Sequence, residues 1–152
     1  MKISTLCFLL KEKEILLAMK KRGFGQGKWN GYGGKVENEE IKQGATREVR
    51  EEIGVIIEKE KLQEAAVINF YMADNHFFEC HVFLVQEWSG TPVETDEMKP
   101  QWFALDQVPF HDMWPADQMW IPIVLSGKKI KATVQFDETG TVIQKFKWEK
   151  WE

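Results

Sequence analysis

The chain contains few cysteines and tyrosines and no excess of basic residues. Its 152 residues include two Cys and two Tyr, and 20 Lys and Arg stand against 24 Asp and Glu, for a net charge of -4 at pH 7. This balance lacks the basic footprint of a protein that binds a nucleic-acid polymer. Cys7 and Cys80 lack the paired spacing of a zinc site, and each lies in an apolar or β-rich run. We therefore expect two buried, reduced thiols.

Long apolar runs are also missing. The apolar stretch at residues 3–10 is too short for a membrane-spanning helix and is followed by no small-residue cleavage site. We therefore expect a buried strand there, a cytoplasmic protein and no contact with a membrane. A length of 152 residues, with 43% hydrophobic and 29% charged residues, predicts a single globular domain over residues 1–152.

Turn-forming residues divide the chain into short strands and two helices. Glycines punctuate a long loop at residues 23–34, Gly54 ends the first helix, and Pro115 suits the first turn of the second. Trp29 and Trp114 lie in Gly- or Pro-containing segments, so we expect both in functional loops. The patterns predict strands at residues 3–10, 15–20, 66–72, 77–87, 102–105, 130–136 and 142–148, and helices at residues 39–53 and 115–125. Mixed strands with two helices indicate an α/β/α sandwich.

The first predicted helix is the most informative segment. Residues three and four apart share a face of a helix, so Glu48, Glu51 and Glu52 project from one side. Beside them runs an apolar stripe at spacing four, made of Ile41, Ala45, Val49 and Ile53. One face can therefore pack on a core while its border presents three carboxylates to a cleft. Hard divalent cations prefer carboxylate oxygens, and without a cation the three charges would repel each other.

Two charged segments each have an ordinary alternative. A solvated acidic helix would explain the carboxylates, but it explains neither the Gly33-Gly34 pair before the helix nor Gly54 after it. The basic run at residues 20–22 is compatible with a solubilising strand end and equally with a phosphate contact beside a cleft. Composition does not decide between these two readings of the basic run.

Residues 33–55 resemble the Nudix box, G-x5-E-x7-R-E-U-x-E-E-x-G-U, in which U is aliphatic. The matching positions are Gly33, Glu39, Arg47, Glu48, Val49, Glu51, Glu52, Gly54 and Val55. Most family members count from the second glycine of the pair, and counting here from Gly33 selects Glu39 rather than Glu40. Residues 19–36, 90–103 and 106–117 extend the resemblance, to MutT-type members, over nearly the full chain. The resemblance implies the Nudix fold, an α/β/α sandwich with a central mixed β-sheet.

The resemblance also implies a metal site. Its cofactor would be Mg²⁺, with Mn²⁺ possible, which neutralises phosphate charge and acidifies a bound water. Arg47 would orient a neighbouring carboxylate, and either Glu48 or Glu97 would act as the general base. The implied metal ligands are a carbonyl from the glycine pair, at Gly33, and the carboxylates of Glu48, Glu51, Glu52 and Glu97.

A pocket for a purine base is implied as well. Its contacts would be Thr5, Lys20, Phe24, Asn30, Ile68, Trp114 and Asp117. An indole face stacks on a purine, and both an amide and a protonated carboxyl can donate and accept hydrogen bonds. Composition alone would make Phe24 and Trp114 core aromatics and Asn30 a turn residue. Where similar enzymes carry Trp-Pro-Asp-Asp, this chain has Ala116 before Asp117, so one of two adjacent acids is missing.

The activity that the resemblance implies is Mg-dependent hydrolysis of oxidised purine nucleoside triphosphates, such as 8-oxo-dGTP, to the monophosphate and pyrophosphate. Such a reaction would serve nucleotide-pool sanitation. One alternative is a Nudix hydrolase of ADP-ribose, a dinucleotide or a methylated purine triphosphate. Another is a nucleotide-binding domain without activity. The expected partner is a small nucleotide bound by a monomer, and not a nucleic-acid polymer.

Overall fold

Eight strands and two helices make up the computed structural model, which describes all 152 residues. The strands are β1 (Lys2–Lys11), β2 (Glu14–Lys20), β3 (Trp29–Asn30), β4 (Leu62–Met72), β5 (Asn75–Val85), β6 (Met98–Ala104), β7 (Ile130–Phe136) and β8 (Ile143–Lys150). The helices are α1 (Ile41–Ile53) and α2 (Asp117–Leu125), with 3-10 turns at Lys59–Lys61 and Phe110–Asp112. Neither helix combines the length and apolar character that crossing a membrane requires.

All eight strands belong to one mixed sheet. Its order is β3-β2-β1-β5-β4-β7-β8, and β6 also pairs with β2. The β1–β5 and β4–β7 pairs are parallel, and the remaining pairs are antiparallel. β8 is an edge strand with mostly exposed side chains, among them Lys145, Lys147 and Lys150.

A helix covers each face of the sheet. Successive side chains of a strand point to opposite faces, so Cys7 of β1 packs in the core beneath α1 whereas Phe8 packs in the core beneath α2. The predicted stripe of α1 lies in the first of these cores, where Ala45, Val49 and Ile53 are fully buried. The predicted α/β/α sandwich with a central mixed sheet is confirmed. Cys7 and Cys80 are both free and buried, as expected.

The extents of several elements differ from the prediction. β4 and β6 begin earlier than predicted, because exposed polar residues within them break the apolar pattern. α1 begins at Ile41 rather than at residue 39. α2 begins at Asp117 rather than at Pro115, because the Asp117 N–H donates to the Trp114 carbonyl at 3.0 Å in a turn that precedes the helix.

Among the aromatic residues, the predicted position of Trp29 differs most from the structure. It lies in the short strand β3, which pairs with β2, and not in an open loop. Its side chain is 8% exposed and packs edge-on against Phe103, with ring centroids 4.9 Å apart. The prediction of a functional loop position for Trp29 was wrong, because a two-residue strand leaves no periodic pattern in the sequence.

Candidate active site

The carboxylates of α1 line one cavity of about 520 Å³. The end of β2, the glycine pair, α1 and the loop before β6 meet there. Lys20 and Arg22 contribute positive charge to the lining. All of the predicted metal ligands also line this cavity, namely Gly33, Glu48, Glu51, Glu52 and Glu97. The structure therefore brings together residues that lie far apart in the chain.

The Gly33-Gly34 pair lies tightly between β1 and α1. The Thr5 N–H donates to the Gly34 carbonyl at 2.9 Å. A Cβ on Gly34 would lie 2.7 Å from the Glu48 carboxylate, and a Cβ on Gly33 would collide with the Thr5 carbonyl. The Gly33 N–H donates to Glu52 Oε1 at 2.8 Å. Glycine is required at position 33 because a Cβ there would overlap backbone atoms of Thr5, whereas a Cβ at position 34 would displace the Glu48 carboxylate.

Glu52 is the most buried acid of the cavity, with 7% of its surface exposed. Burial raises the pKa of Glu52 to about 8, and the nearby charge of Glu48 acts in the same direction, against the Gly33 N–H and Lys20. Burial also raises the pKa of Glu48, against the opposing charge of Arg47. Two desolvated carboxylates of like charge are an arrangement that a bound divalent cation would stabilise.

Arg47 connects the carboxylates on this side of α1. Its Nη2 lies 2.7 Å from Glu39 Oε1, and its Nη1 lies 3.1 Å from both Glu48 Oε1 and Glu51 Oε2. The hydrogen bond from Arg47 lowers the pKa of Glu39. The Glu39 side chain is only 11% exposed, whereas that of Glu40 is 78% exposed. The structure thus places Glu39, and not Glu40, against the guanidinium.

Replacing Arg47 with lysine tests this network. An ammonium keeps the charge but cannot form the planar, forked contacts of a guanidinium. We expect Arg47→Lys to lower kcat and to raise the Mg²⁺ concentration for half-maximal activity by about 10-fold, as for other groups that orient metal ligands. Steady-state kinetics over a Mg²⁺ titration measure both. Arg50→Lys is the matched control, because Arg50 is exposed on the same helix and forms no ion pair; an equal loss in that control would contradict the assigned role of Arg47.

The carboxylates share the cavity without converging on one point. No three acidic, histidine or cysteine side chains lie close enough together to hold a metal ion. Arg47 Nη1 contacts both Glu48 and Glu51, and Arg22 Nη2 lies 3.4 Å from Glu97 Oε1, so cationic side chains neutralise three of the acids. The donor set is nevertheless all oxygen, which suits Mg²⁺ or Mn²⁺ better than softer metals.

Trp114 lies just before α2 and faces the glycine-rich loop. Phe24 is 83% exposed and stacks on the Trp114 ring, with centroids 5.1 Å apart. Lys28 Nζ lies 5.2 Å from the ring centroid. A Cβ on Gly25 would lie 3.3 Å from Trp114 and 3.9 Å from Lys20, so this loop joins Trp114 to the acidic cavity. Phe24 is thus a surface aromatic residue and not part of the core.

Asp117, at the start of α2, is a second buried acid. It is 6% exposed, and its Oδ2 accepts a hydrogen bond from the Trp114 N–H at 3.1 Å. Burial raises the pKa of Asp117 to about 7, against the Trp114 N–H and Lys28. The indole N–H of Trp120 is buried beside this carboxyl without forming a hydrogen bond of good geometry. Ala116 is 2% exposed, so the position of the missing acid is a buried, apolar one.

The remaining predicted base contacts have mainly internal partners. Thr5 is 3% exposed, and its hydroxyl lies 3.5 Å from the Gly34 carbonyl. Asn30 Oδ1 accepts a hydrogen bond from the adjacent Gly31 N–H at 2.8 Å, as a turn residue would. Ile68 has no exposed surface, so contact with a ligand would require movement of the surrounding core. Their roles in base recognition stay predictions.

Sequence reasoning missed two aromatic residues near Ile68. Phe70 and Phe78 are opposite each other in β4 and β5, on the same face as Ile68, and their rings stack with centroids 4.5 Å apart. Both are partly buried and pack against the core beneath α2. The alternation of Ile68 and Phe70 along β4 was the available signal, since residues two apart share a face of a strand.

The chain is similar to known proteins over most of its length. Residues 1–122 match the family model described as NUDIX domain. The chain is 42% identical to the oxidized purine nucleoside triphosphate hydrolase of Mus musculus, over 93% of this chain and 91% of that protein. It is 39% identical to the protein of that name from Danio rerio, over 94% of this chain and 92% of that protein. The crystal structure of a MutT protein from Bacillus halodurans is similar in fold, with a TM-score of 0.82, 20% identity and 98% of both chains covered.

The fold and the acidic cavity agree with a hydrolase whose carboxylates lie on one helix that follows a glycine pair. The chain belongs to the Nudix family, which confirms the resemblance found in the sequence.

Proposed function

We propose that this Nudix hydrolase converts oxidised purine nucleoside triphosphates, such as 8-oxo-dGTP, to the monophosphate and pyrophosphate, in nucleotide-pool sanitation. The observation that carries the proposal is the placement of Trp114 and the buried Asp117 across one loop from the acidic cavity. A purine could stack on the indole while its phosphates reach the carboxylates. The names of the relatives from mouse and zebrafish support this class of substrate.

The phosphate end of the substrate would lie at the acidic cavity. When bound there, Mg²⁺ or Mn²⁺ supplies neutralisation of phosphate oxygens and acidification of a water. The Gly33 carbonyl accepts no backbone hydrogen bond and so keeps its lone pairs for a ligand. Lys20 and Arg22 would attract the phosphates. The residues that we propose as metal ligands are Gly33, Glu48, Glu51, Glu52 and Glu97.

A carboxylate of the cavity would take the proton of the attacking water. Glu48 is suited to this role because its partial burial raises its pKa toward the pH of the reaction. Glu97 is the alternative base, on the opposite wall of the cavity. Arg47 would hold Glu48 in place through the 3.1 Å contact and would not itself touch the substrate.

The base end of the substrate would be read by hydrogen bonds. We propose Asp117 and Asn30 as its polar contacts and Trp114, with Phe24, as its aromatic ones. Thr5, Lys20 and Ile68 would complete the surroundings of the pocket. Because Ala116 offers no second carboxyl, Asp117 alone would set the pattern of donors and acceptors presented to the purine edge.

A panel of nucleotides tests the substrate class. We expect 8-oxo-dGTP to be hydrolysed with a kcat/KM at least about 10-fold above that of dGTP, as differential hydrogen bonding in a buried pocket allows. Ion-exchange chromatography of the products should show monophosphate and pyrophosphate. Equal turnover of dGTP would remove the preference for oxidised bases. Faster release of products from ADP-ribose, a dinucleotide or a methylated purine triphosphate would assign another Nudix activity.

The whole chain would act as one domain, as a monomer in the cytoplasm, with a small nucleotide as its partner. In support of one domain over residues 1–152, β7 pairs with β4 within the same sheet as the matched region. In support of a reducing compartment, both thiols are free and buried.

A further inference from the structure

A single hydroxyl group links the backbone of Glu97 to the end of α1. Thr95 Oγ1 donates to the Glu52 carbonyl at 3.3 Å and accepts the Glu97 N–H at 3.3 Å and the Met98 N–H at 3.1 Å. A threonine hydroxyl has one donor and two acceptor positions, and all three are used. The loop also closes on itself, because the Thr95 N–H donates to the Met98 carbonyl at 3.0 Å.

The helix end supplies the reason for this attachment. The last four carbonyls of a helix have no partner within it, and the Glu52 carbonyl is one of them. The Thr95 hydroxyl satisfies that carbonyl, and the neighbouring Val93 N–H donates to the Ile53 carbonyl at 3.1 Å. The segment from Val93 to Met98 is thus bound to the turn of α1 that carries Glu52.

On its other side the loop contacts Lys21 and Arg22 through one backbone hydrogen bond and two ion pairs. The Lys21 N–H donates to the Glu97 carbonyl at 2.8 Å, and Lys21 forms an ion pair with Glu94. Arg22 lies 3.4 Å from Glu97 through side chains that are 65% and 56% exposed. Exposed ion pairs are weak and screened by salt. The half-buried Thr95 hydroxyl therefore forms the side-chain hydrogen bond that joins the loop to α1, beside the backbone bond of Val93.

We propose that Thr95 is a positioning residue that holds Glu97 opposite the α1 carboxylates through its bonds to the Glu52 carbonyl and the Glu97 N–H. The inference rests on the proposed metal site, of which Glu97 and Glu52 are members. A ligand on a loop must be held in place before a cation arrives, since otherwise binding must order the loop. Thr95 keeps the two walls of the cavity at a fixed separation.

The test compares Mn²⁺ binding by the nucleotide-free protein across matched variants, by the electron paramagnetic resonance signal of free Mn²⁺. We expect Thr95→Val, which keeps the shape and removes the hydroxyl, to raise the Kd for Mn²⁺ by about 10-fold. Thr95→Ser should bind nearly as the parent does. Thr46→Val is the control, because the Thr46 hydroxyl donates to the Gln43 carbonyl at 3.0 Å on the same helix, outside the cavity. Thr95→Ala provides a second hydroxyl deletion, and circular dichroism establishes that each variant is folded.

A double-mutant cycle with Glu97→Gln separates positioning from general stability. If Thr95 acts through Glu97, Thr95→Val should cause little further loss of Mn²⁺ affinity in a Glu97→Gln background. Unchanged Mn²⁺ affinity in Thr95→Val, with or without a lower Tm, would overturn the inference, as would additive losses in the cycle. A parent protein that binds no Mn²⁺ would instead refute the metal site of the proposed function, and the inference with it.

Discussion

Glu52→Gln should abolish most of the turnover while leaving the protein folded. The amide keeps the shape of the side chain and can still accept the Gly33 N–H, now 2.8 Å from Glu52 Oε1. It removes the negative charge of a buried proposed metal ligand, so we expect kcat to fall by about 100-fold to 1000-fold. Steady-state hydrolysis of 8-oxo-dGTP at saturating Mg²⁺ measures the loss. Glu60→Gln, an exposed substitution outside the cavity, should retain full activity.

The same substitution should change how stability depends on pH without metal. The pKa of Glu52 is raised from 4.5 to about 8, so between these values the folded protein binds a proton that the unfolded chain releases. The free energy of unfolding contributed by Glu52 therefore decreases as pH rises through this range. Melting curves in EDTA should show that Tm decreases less with rising pH in Glu52→Gln than in the parent. An insoluble or unfolded variant would show that Glu52 is a structural residue. Full turnover would exclude Glu52 from the metal site.

Asp117→Asn should remove the pH dependence of base selectivity. Because the pKa of Asp117 is raised to about 7, the carboxyl is protonated below that pH and ionised above it. The protonated form both donates and accepts, which matches the edge of a 6-aminopurine, whereas the carboxylate only accepts and matches two adjacent donors on a 2-amino-6-oxopurine. The ratio of kcat/KM for 8-oxo-dATP over 8-oxo-dGTP should therefore fall by about 10-fold from pH 6 to pH 8.5 in the parent.

Taking a ratio of two substrates on one enzyme cancels the titration of the acids in the metal cavity. In Asp117→Asn the side chain always donates and accepts, so the ratio should stay constant with pH. Asp106→Asn, at an exposed position, should keep the dependence of the parent. A ratio that titrates equally in Asp117→Asn would assign the effect to another group or to the bases themselves.

The common side of the helical acids was predictable from their spacing, whereas the attachment of the loop that carries Glu97 was not. The spacing of Glu48, Glu51 and Glu52 determines their common side because helical geometry is regular over that distance. The approach of Thr95 to the Glu52 carbonyl joins residues 43 positions apart through a backbone atom, which leaves no local pattern in the sequence. Likewise, the contacts of Arg47 with Glu48 and Glu51, and of Arg22 with Glu97, depend on the three-dimensional placement of these side chains, and the sequence alone predicts only that the acids belong to one cleft.

The charges on the outer strand also have a consequence for self-association. At this end of the sheet, a neighbouring molecule could extend it by laying one of its own strands along β8, whose outer backbone groups have no partner strand. β8 carries Lys145, Lys147 and Lys150 against one acid, Glu149, so two copies side by side would bring two net-positive strands together, and charge repulsion opposes that approach. The charges of β8 thereby oppose polymerisation of the enzyme through this edge of the sheet.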